Sequence, residues 1–503
     1  MTTPRDAAEH TRLSQLRPPN WCNPTPAACY DLVILGGGTT GLVAAHAAAA
    51  LGAQVALIER HLLGGNCLNI GCIPSKALVR TSRLYAEMRH AEQFGAQSPA
   101  DIRVDFAAVM QRMRDIRARL SRTSSVHDLV AARVHVFFGD AHFIGPDALQ
   151  LDGATLRFRK ALIATGAEPD IPSIDGLVAA GSFTNATVFD LTELPRRLLV
   201  VGGGPLGCEM AQAFCRFGAQ TTIVQSWPLF LPREERDAAQ LLSDAFARDG
   251  IDVRLNTEVV SVRVEDGQKL VHLVSDDYHS TIAVDAILTG TGRIPSVTGL
   301  GLEAAGVNFD RDRGVHVDDF LRTGNRRIYA AGDVCLEHKF NDMADATARM
   351  AVHNALRSGR RRLSELTIPW CTYTDPEVAH VGLYVRQARE RDIPVKTFTI
   401  LMHDVDRAVA DSEEAGFVKI HVREGTDRIL GATIVARHAG EMIGELTLAM
   451  VAGVGLRTLS HVMHPYPTQA DAITKAADAC RRDSHTPSIG SLLKRLLWRL
   501  PLA

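Results

Sequence analysis

Tyr30-Asp31-Leu32-Val33-Ile34-Leu35-Gly36-Gly37-Gly38-Thr39-Thr40-Gly41 is the stretch that decides the fold. Its apolar half reads as a buried strand, and a Gly-x-Gly-x-x-Gly turn follows at once. Residues 42–51 then read as an alanine-rich helix, Gly52 ends it, and residues 54–59 form a second strand. Glu59 closes that strand at the distance expected of a ribose ligand. In such a frame the glycines let the backbone approach a pyrophosphate. The helix start adds free N–H groups and a positive dipole end.

The frame recurs. Residues 197–201 make a strand, Gly202-Gly203-Gly204-Pro205-Leu206-Gly207 the turn, 208–217 a helix and 220–224 a second strand. Two complete frames in one chain predict two nucleotide-binding domains, against the alternative of glycine-rich turns with no ligand. Two further strands end in small-residue turns, one at Ala164-Thr165-Gly166 and one at Gly332-Asp333. A strand of that kind presents its last carboxylate at the carboxyl edge of the sheet, where ligands sit, although Asp333 could equally start a turn or helix.

Between the two frames lies Gly64-Gly65-Asn66-Cys67-Leu68-Asn69-Ile70-Gly71-Cys72-Ile73-Pro74-Ser75-Lys76. An unbroken helix would hold the two cysteines too far apart for a disulfide, so the segment must be distorted, and Gly71 permits that. The pair reads either as a dithiol that takes electrons from a flavin or as two inert buried cysteines.

The rest of the chain bounds these readings. It has 503 residues, 46% hydrophobic and 22% charged, with a net charge of −2. That length suggests about three domains, and that charge favours neither nucleic acid nor acidic substrates. Nine cysteines in such a chain do not make a disulfide scaffold. They fit a reducing compartment, so a cytoplasmic protein is expected, with no secretory signal and no membrane span. Residues 1–29 are rich in Pro, Arg and Thr and read as a disordered tail, in which Cys22 and Cys29 are incidental or an auxiliary thiol pair. From residue 368 onward short alternating runs at 417–422 and 429–435, then a helix at 441–451, indicate an antiparallel sheet with helices. Residues 491–500 form a basic amphipathic stretch that could touch a membrane or fold back. The expected fold class is α/β, with two Rossmann-like dinucleotide-binding domains and a C-terminal α+β domain.

In this order the motifs resemble those of the pyridine nucleotide-disulfide oxidoreductases, which include glutathione reductase, dihydrolipoamide dehydrogenase and mercuric reductase. The resemblance covers residues 30–480 and is closest to mercuric reductase. It implies a glutathione reductase-like fold: an FAD-binding domain at 30–180 and 301–365, an NAD(P)-binding domain at 181–300 and a dimerisation domain at 366–482, beyond which the residues read as a basic amphipathic tail at 483–503. Gly36, Gly38, Gly41, Glu59, Lys76, Ala164, Thr165, Gly166, Gly332 and Asp333 would serve FAD. Gly202, Gly204, Gly207, Gln225, Arg233 and Gly292 would serve NADPH or NADH. The resemblance also implies a homodimer whose active sites combine both chains. Cys72 would be the thiol beside the flavin and Cys67 the outer, interchange thiol. Lys76 and Glu209 would form an ion pair beside the flavin, where the residues alone suggest a surface lysine and an ordinary helix glutamate. No resident metal ion is implied.

The C-terminal motif departs from the pattern. It reads His464-Pro465-Tyr466-Pro467-Thr468-Gln469-Ala470-Asp471. Disulfide-reducing members carry a histidine where Tyr466 stands and a glutamate where Asp471 stands, as the acid/base for thiol exchange. A tyrosine titrates near about pH 10 and is a poor base at neutrality, so His464 is the remaining candidate. Mercuric reductases also place a tyrosine here, and the likeness extends to residues 187–195. The adjacent C-terminal cysteine pair and the N-terminal Cys-x-x-Cys domain of mercuric reductases are absent, with only Cys480 nearby. The second fingerprint ends in Gln225 rather than an acid, and Arg233 follows, which favours NADPH. The expectation is an FAD-dependent NAD(P)H oxidoreductase that passes electrons through Cys67–Cys72 to a metal ion or small oxidant. The alternatives are a disulfide reductase and a redox sensor or membrane-docked carrier.

Overall fold

The computed structural model describes residues 6–97, 99, 101–276, 278–357 and 359–483. The basic stretch at 491–500, and any membrane contact through it, lies outside the described residues. No helix among the described residues is long and apolar enough to cross a membrane.

Tyr30–Leu35 lies inside a seven-stranded sheet. Val55–Glu59 and His135–Phe138 follow on one side, Ala154–Ile163 on the other, all parallel, and Ile328–Ala330 pairs with the last of these. A parallel sheet must be covered on both faces, which is why Val33, Ile34, Val55 and Leu57 have no exposed surface. Thr39–Ala50 lies against Asn341–Leu356. It begins three residues before its expected start, inside the glycine turn itself. Ala148–Leu151 and Ala141–Gly145 extend the sheet antiparallel.

The second frame builds a parallel four-stranded sheet in the order Asp252–Arg254, Gln220–Val224, Arg197–Val201 and Ala286–Thr289. An antiparallel meander of Glu258–Glu265, Gln268–Ser275 and Tyr278–Val284 is inserted in the chain between Asp252–Arg254 and Ala286–Thr289. Both nucleotide folds fall in one compact unit, made of the chain up to Phe230 and of Phe246–Leu366.

A second unit combines Leu231–Ala245 with the chain from Thr367 onward. It is a five-stranded antiparallel sheet, ordered Pro369–Thr372, Glu377–Gly382, Ile429–Ala436, Phe417–Arg423 and Val395–Leu401. Leu446 of helix Ala439–Ala452 and Ile473 and Ala477 of helix Asp471–Asp483 join Ile420, Ala432 and Ile434 in its core. Leu231–Ala245 is bound into this unit by buried polar contacts. Trp370 Nε1 and Tyr384 Oη donate to the Glu234 carboxylate at 3.0 and 2.6 Å. Lys419 Nζ and His421 Nε2 reach Glu235 at 3.0 and 3.1 Å. The segment expected within 181–300 is thus divided, and Arg233 goes with the second unit.

The expected disordered tail is a second correction. Ala7–Leu16 is a helix, with the Asp6 carboxylate accepting from Glu9 N at 2.8 Å as its N-cap. Leu16 is fully buried, and Glu9 and Arg12 are hidden with it. An N-cap aspartate with a glutamate three residues on is a helix-start signature, and it was there to be read. Cys22 and Cys29 follow this helix as exposed free thiols.

Candidate active site

The break between two helices creates the dithiol. Gly65–Ile70 is a short helix, and Cys72–Arg89 starts directly after Gly71, whose backbone leaves the helical path at φ −138°, ψ −112°. A side chain at Gly71 would bring its Cβ to 2.8 Å from Asn66 O, so this approach of backbone to backbone requires glycine. The end of the first helix leaves carbonyls that need donors. Arg117 Nη1 supplies one to Asn69 O at 2.9 Å, and Asn185 Nδ2 supplies one to Ile70 O at 3.1 Å. The result brings the two cysteines together as free thiols that hydrogen bond to each other.

Their acidities are pushed apart. The hydrogen bond from Cys67 is the largest influence on Cys72. With the charges of Lys76 and Arg293 it outweighs burial and Glu209 and lowers the Cys72 thiol to about 7. Position at a helix start acts in the same direction. Cys67 is raised, first by that same bond to Cys72 and then by burial, while a bond to Thr39 counters. Of the two, Cys72 is therefore the thiol that ionises near neutrality, and Cys67 keeps its proton.

Lys76, one helical turn into Cys72–Arg89, puts Nζ 2.9 and 2.8 Å from the two carboxylate oxygens of Glu209 on helix Pro205–Phe217. Glu209 is buried at 3% exposure and Lys76 is at 36%. The pair joins the two nucleotide folds beside the dithiol. Arg293 was not singled out in the sequence, although its neighbour Gly292 was. Its Nη1 lies 2.5 Å from Asp333 Oδ2 and its Nη2 donates to Ala167 O at 3.0 Å. Burial lifts the Asp333 carboxyl above its usual range, and Arg293 counters.

The two glycine turns are built alike. Gly36 has φ +102°, and a Cβ there would lie 2.3 Å from Ala164 O, so only glycine fits. Gly38 and Gly204 stand at the N-caps of Thr39–Ala50 and Pro205–Phe217 without a side-chain cap, which leaves N–H groups of the first turn open to an anion. Gly41 and Gly207 face the carbonyls of Gly36 and Gly202 too closely for any side chain. Glu59 accepts from Gly37 N and His61 N, both at 2.7 Å. Gln225 occupies the corresponding position of the second turn, against Gly203, and donates to Leu229 O at 2.7 Å. Gly36, Glu59, Thr165 and Ser296 line a cavity of about 330 Å³ at the carboxyl edge of the first sheet, where this kind of fold receives ligands. Gly166 O accepts from Ser296 N and Gly292 O from Asp170 N, so both hold the crossing between the folds. Gly332 N bonds to Thr347 Oγ1. The open helix start, the glycine cradle and the acid at the strand end fit a dinucleotide such as FAD.

Four expected residues belong to the second unit. Arg233 is exposed there, and its carbonyl accepts a bond from Arg386. Tyr466 is 76% exposed and donates to Asp406 Oδ2 at 2.8 Å, and this bond raises its phenol above the ordinary value. Asp471 opens the helix Asp471–Asp483 and pairs with Lys475 at 3.3 Å. His464 bonds through Nε2 to Glu445 at 2.9 Å and through Nδ1 to Thr474 Oγ1 at 2.9 Å. Its carboxylate partner is thus Glu445, which no local motif marks because it lies 19 residues upstream.

Residues 30–359 match the model of the pyridine nucleotide-disulphide oxidoreductases and residues 368–477 that family's dimerisation domain. The chain is 35% identical to a mercuric reductase from Streptomyces lividans over 464 residues, 90% of this chain and 97% of that one. It is 32% identical to a dihydrolipoyl dehydrogenase from Thermus scotoductus over 465 residues, 90% and 98% of the two chains. Among solved structures, the Cu(II) complex of the HOCl-induced flavoprotein disulfide reductase RclA from Escherichia coli superposes with a TM-score of 0.81 at 29% identity, over 90% of this chain and all of that one. LpdA from Mycobacterium tuberculosis gives the same TM-score and identity over 89% of this chain and 99% of its own. The paired cysteines, the two glycine turns and these matches make the chain a member of the pyridine nucleotide-disulphide oxidoreductase family, an NAD(P)H-dependent flavoprotein with FAD as its cofactor.

Proposed function

We propose that this enzyme passes electrons from NADPH, through FAD and the Cys67–Cys72 pair, to a metal ion or another small oxidant. The observation that carries this reading is Tyr466, bonded to Asp406 where disulfide-reducing members hold a histidine. Reducing a disulfide requires a proton for the departing thiolate, and a phenol with a raised pKa is slow to exchange one at neutrality. A metal ion needs no such proton. Two thiols and M(II) give a disulfide, M(0) and two protons, or two M(II) give two M(I), and in each case both electrons come from sulfur. Soft sulfur ligands suit such ions. The relatives named for mercuric ion and the neighbour solved with Cu(II) support the same class.

Bound FAD would supply the reducing equivalents that reopen the Cys67–Cys72 disulfide. The protein's own part is to hold Cys72 as thiolate, keep the proton on Cys67, and fix Lys76 against Glu209. The absence of an acid at Gln225 supports NADPH over NADH. The dimerisation domain supports a homodimer, and exposed Leu448, Val451 and Met463 are apolar surface of the kind a second copy covers.

A second reading is favoured by the His464–Glu445 pair, a histidine–carboxylate couple of the kind that serves as acid/base. An acceptor screen decides between the two, following NADPH oxidation with Hg(II), Cu(II), lipoamide, glutathione disulfide, quinones and oxygen. Metal-dependent turnover lost in Cys72→Ser supports the first reading. Robust lipoamide turnover abolished by His464→Ala overturns it.

A further inference from the structure

The family match begins at residue 30, so the helix Ala7–Leu16 lies outside it. That helix meets the loop between the two cysteines. Arg12 Nη1 donates to the Asn69 side-chain carbonyl, and the same guanidinium grips Glu9 through Nε at 2.9 Å. Glu9 Oε2 in turn receives Arg117 Nη2 at 3.3 Å, and Arg117 donates to Asn69 O. The Asn69 amide nitrogen bonds to Leu63 O and Gly65 O, both at 3.0 Å, which fixes the start of the short helix to its end. All four residues are buried, Arg117 at 2% exposure. Burial and the like charge of Arg12 pull Arg117 down to about 10, and Glu9 and Asp190 counter. Arg114 Nε closes the far end of the helix on the Asp6 carboxylate at 2.6 Å. Beyond the helix, Arg17 Nη1 bonds to Arg60 O at 2.8 Å, and Leu16 O accepts from Leu63 N at 3.4 Å.

We propose that the N-terminal helix is a buttress for the redox loop, and that Arg12 is a positioning residue that sets the geometry of the Cys67–Cys72 pair through Asn69. Asn69 sits between the two cysteines and is the common partner of Arg12 and Arg117. Releasing it lets the short helix unwind at Gly71 and the two thiols drift apart. The hydrogen bond from Cys67 then weakens, and the Cys72 thiolate becomes harder to form. The inference rests on Cys67 and Cys72 being the working pair, which turnover of Cys72→Ser tests separately.

The experiment uses reduced holoenzyme and measures the rate of Cys72 alkylation by iodoacetamide as a function of pH, read by peptide mass. Arg12→Ala is compared with Arg12→Lys and with Leu16→Ala, which empties a fully buried site on the same helix without touching Asn69. Arg12→Ala is expected to raise the titration midpoint by about one unit, which cuts the thiolate fraction at pH 7 about fivefold. Arg12→Lys, which keeps a donor, should fall between. Leu16→Ala should lower the melting temperature and leave the midpoint in place. If Arg12→Ala does not fold, Arg12→Lys carries the test alone. An unmoved midpoint in the arginine variants overturns the proposal, and so does an equal shift in Leu16→Ala.

Discussion

Replacing Cys67 by alanine removes the largest single contribution to the acidity of Cys72. That thiol stands at about 7 against an ordinary 9.0. Two units correspond to roughly 2.7 kcal/mol, and at pH 7 to about half thiolate instead of about 1%. A serine at 67 still donates a hydrogen bond, whereas an alanine does not. Alkylation of reduced holoenzyme between pH 5.5 and 9.5 should therefore give a midpoint near 7 for the native enzyme and close to it for Cys67→Ser. The midpoint should move up by more than one unit for Cys67→Ala, with a roughly tenfold slower reaction at pH 7. Stability carries the same signature. The folded thiol ionises below its unfolded counterpart, so the contribution is fully present above pH 9 and is lost as the pH falls through 7. Reduced native enzyme should gain stability from pH 7 to 9, on the order of 2 kcal/mol, and Cys67→Ala should gain little. A midpoint that stays near 7 in Cys67→Ala would refute the reasoning and assign the acidity to Lys76, Arg293 and the helix start.

Lys76 and Glu209 act on Cys72 with opposite signs. Lys76→Met should raise the alkylation midpoint and Glu209→Gln should lower it. Thermal melts should show an asymmetry as well. Losing the ammonium removes two hydrogen bonds from a carboxylate of 3% exposure, at a cost of about 1–3 kcal/mol, while losing the carboxylate leaves a lysine that reaches water, at under about 1 kcal/mol. Gly71→Ala should force the short helix away from the 2.8 Å contact with Asn66 O and separate the thiols. Equilibration with dithiothreitol should then show a disulfide that forms several-fold less readily, with FAD still bound because Gly36 and Glu59 are untouched.

The nucleotide folds could be read from the chain because their determinants are local. Gly36 and Gly38 lie within a few residues of the strand and helix they join, and the geometry leaves no other residue type room at Gly36. The cysteine pair was legible for the same reason, down to the role of Gly71. What the sequence concealed depends on distant partners. Arg293 matters because Asp333 and Cys72 lie beside it, and Glu445 because the fold turns His464 back onto it. The N-terminal helix escaped notice because it is weakly amphipathic and its Glu9 and Arg12 look like solvent-facing charges until Arg117 and Asn69 enclose them. Its Asp6 cap was the visible clue. Arg233 follows the second fingerprint in chain order, yet Leu231–Ala245 groups with the second unit, through distant partners such as Trp370 and Tyr384.

That same excursion constrains the order of events during synthesis. Glu234 and Glu235 leave the ribosome long before the residues that enclose them: Trp370 comes 136 residues after Glu234, and His421 comes 186 residues after Glu235. At about 5–20 residues per second, the interval from Glu235 to His421 lasts roughly 10–40 s. Until Ile328–Ala330 emerges partway through that interval, the first nucleotide frame has its other strands, while Leu231–Ala245 waits in water as an acidic segment whose partners are not yet made. A nascent chain stalled before Trp370 should therefore protect Tyr30–Leu35 from proteolysis and leave Leu231–Ala245 open to cleavage. The last unit to close is the one that carries the match to the family's dimerisation domain.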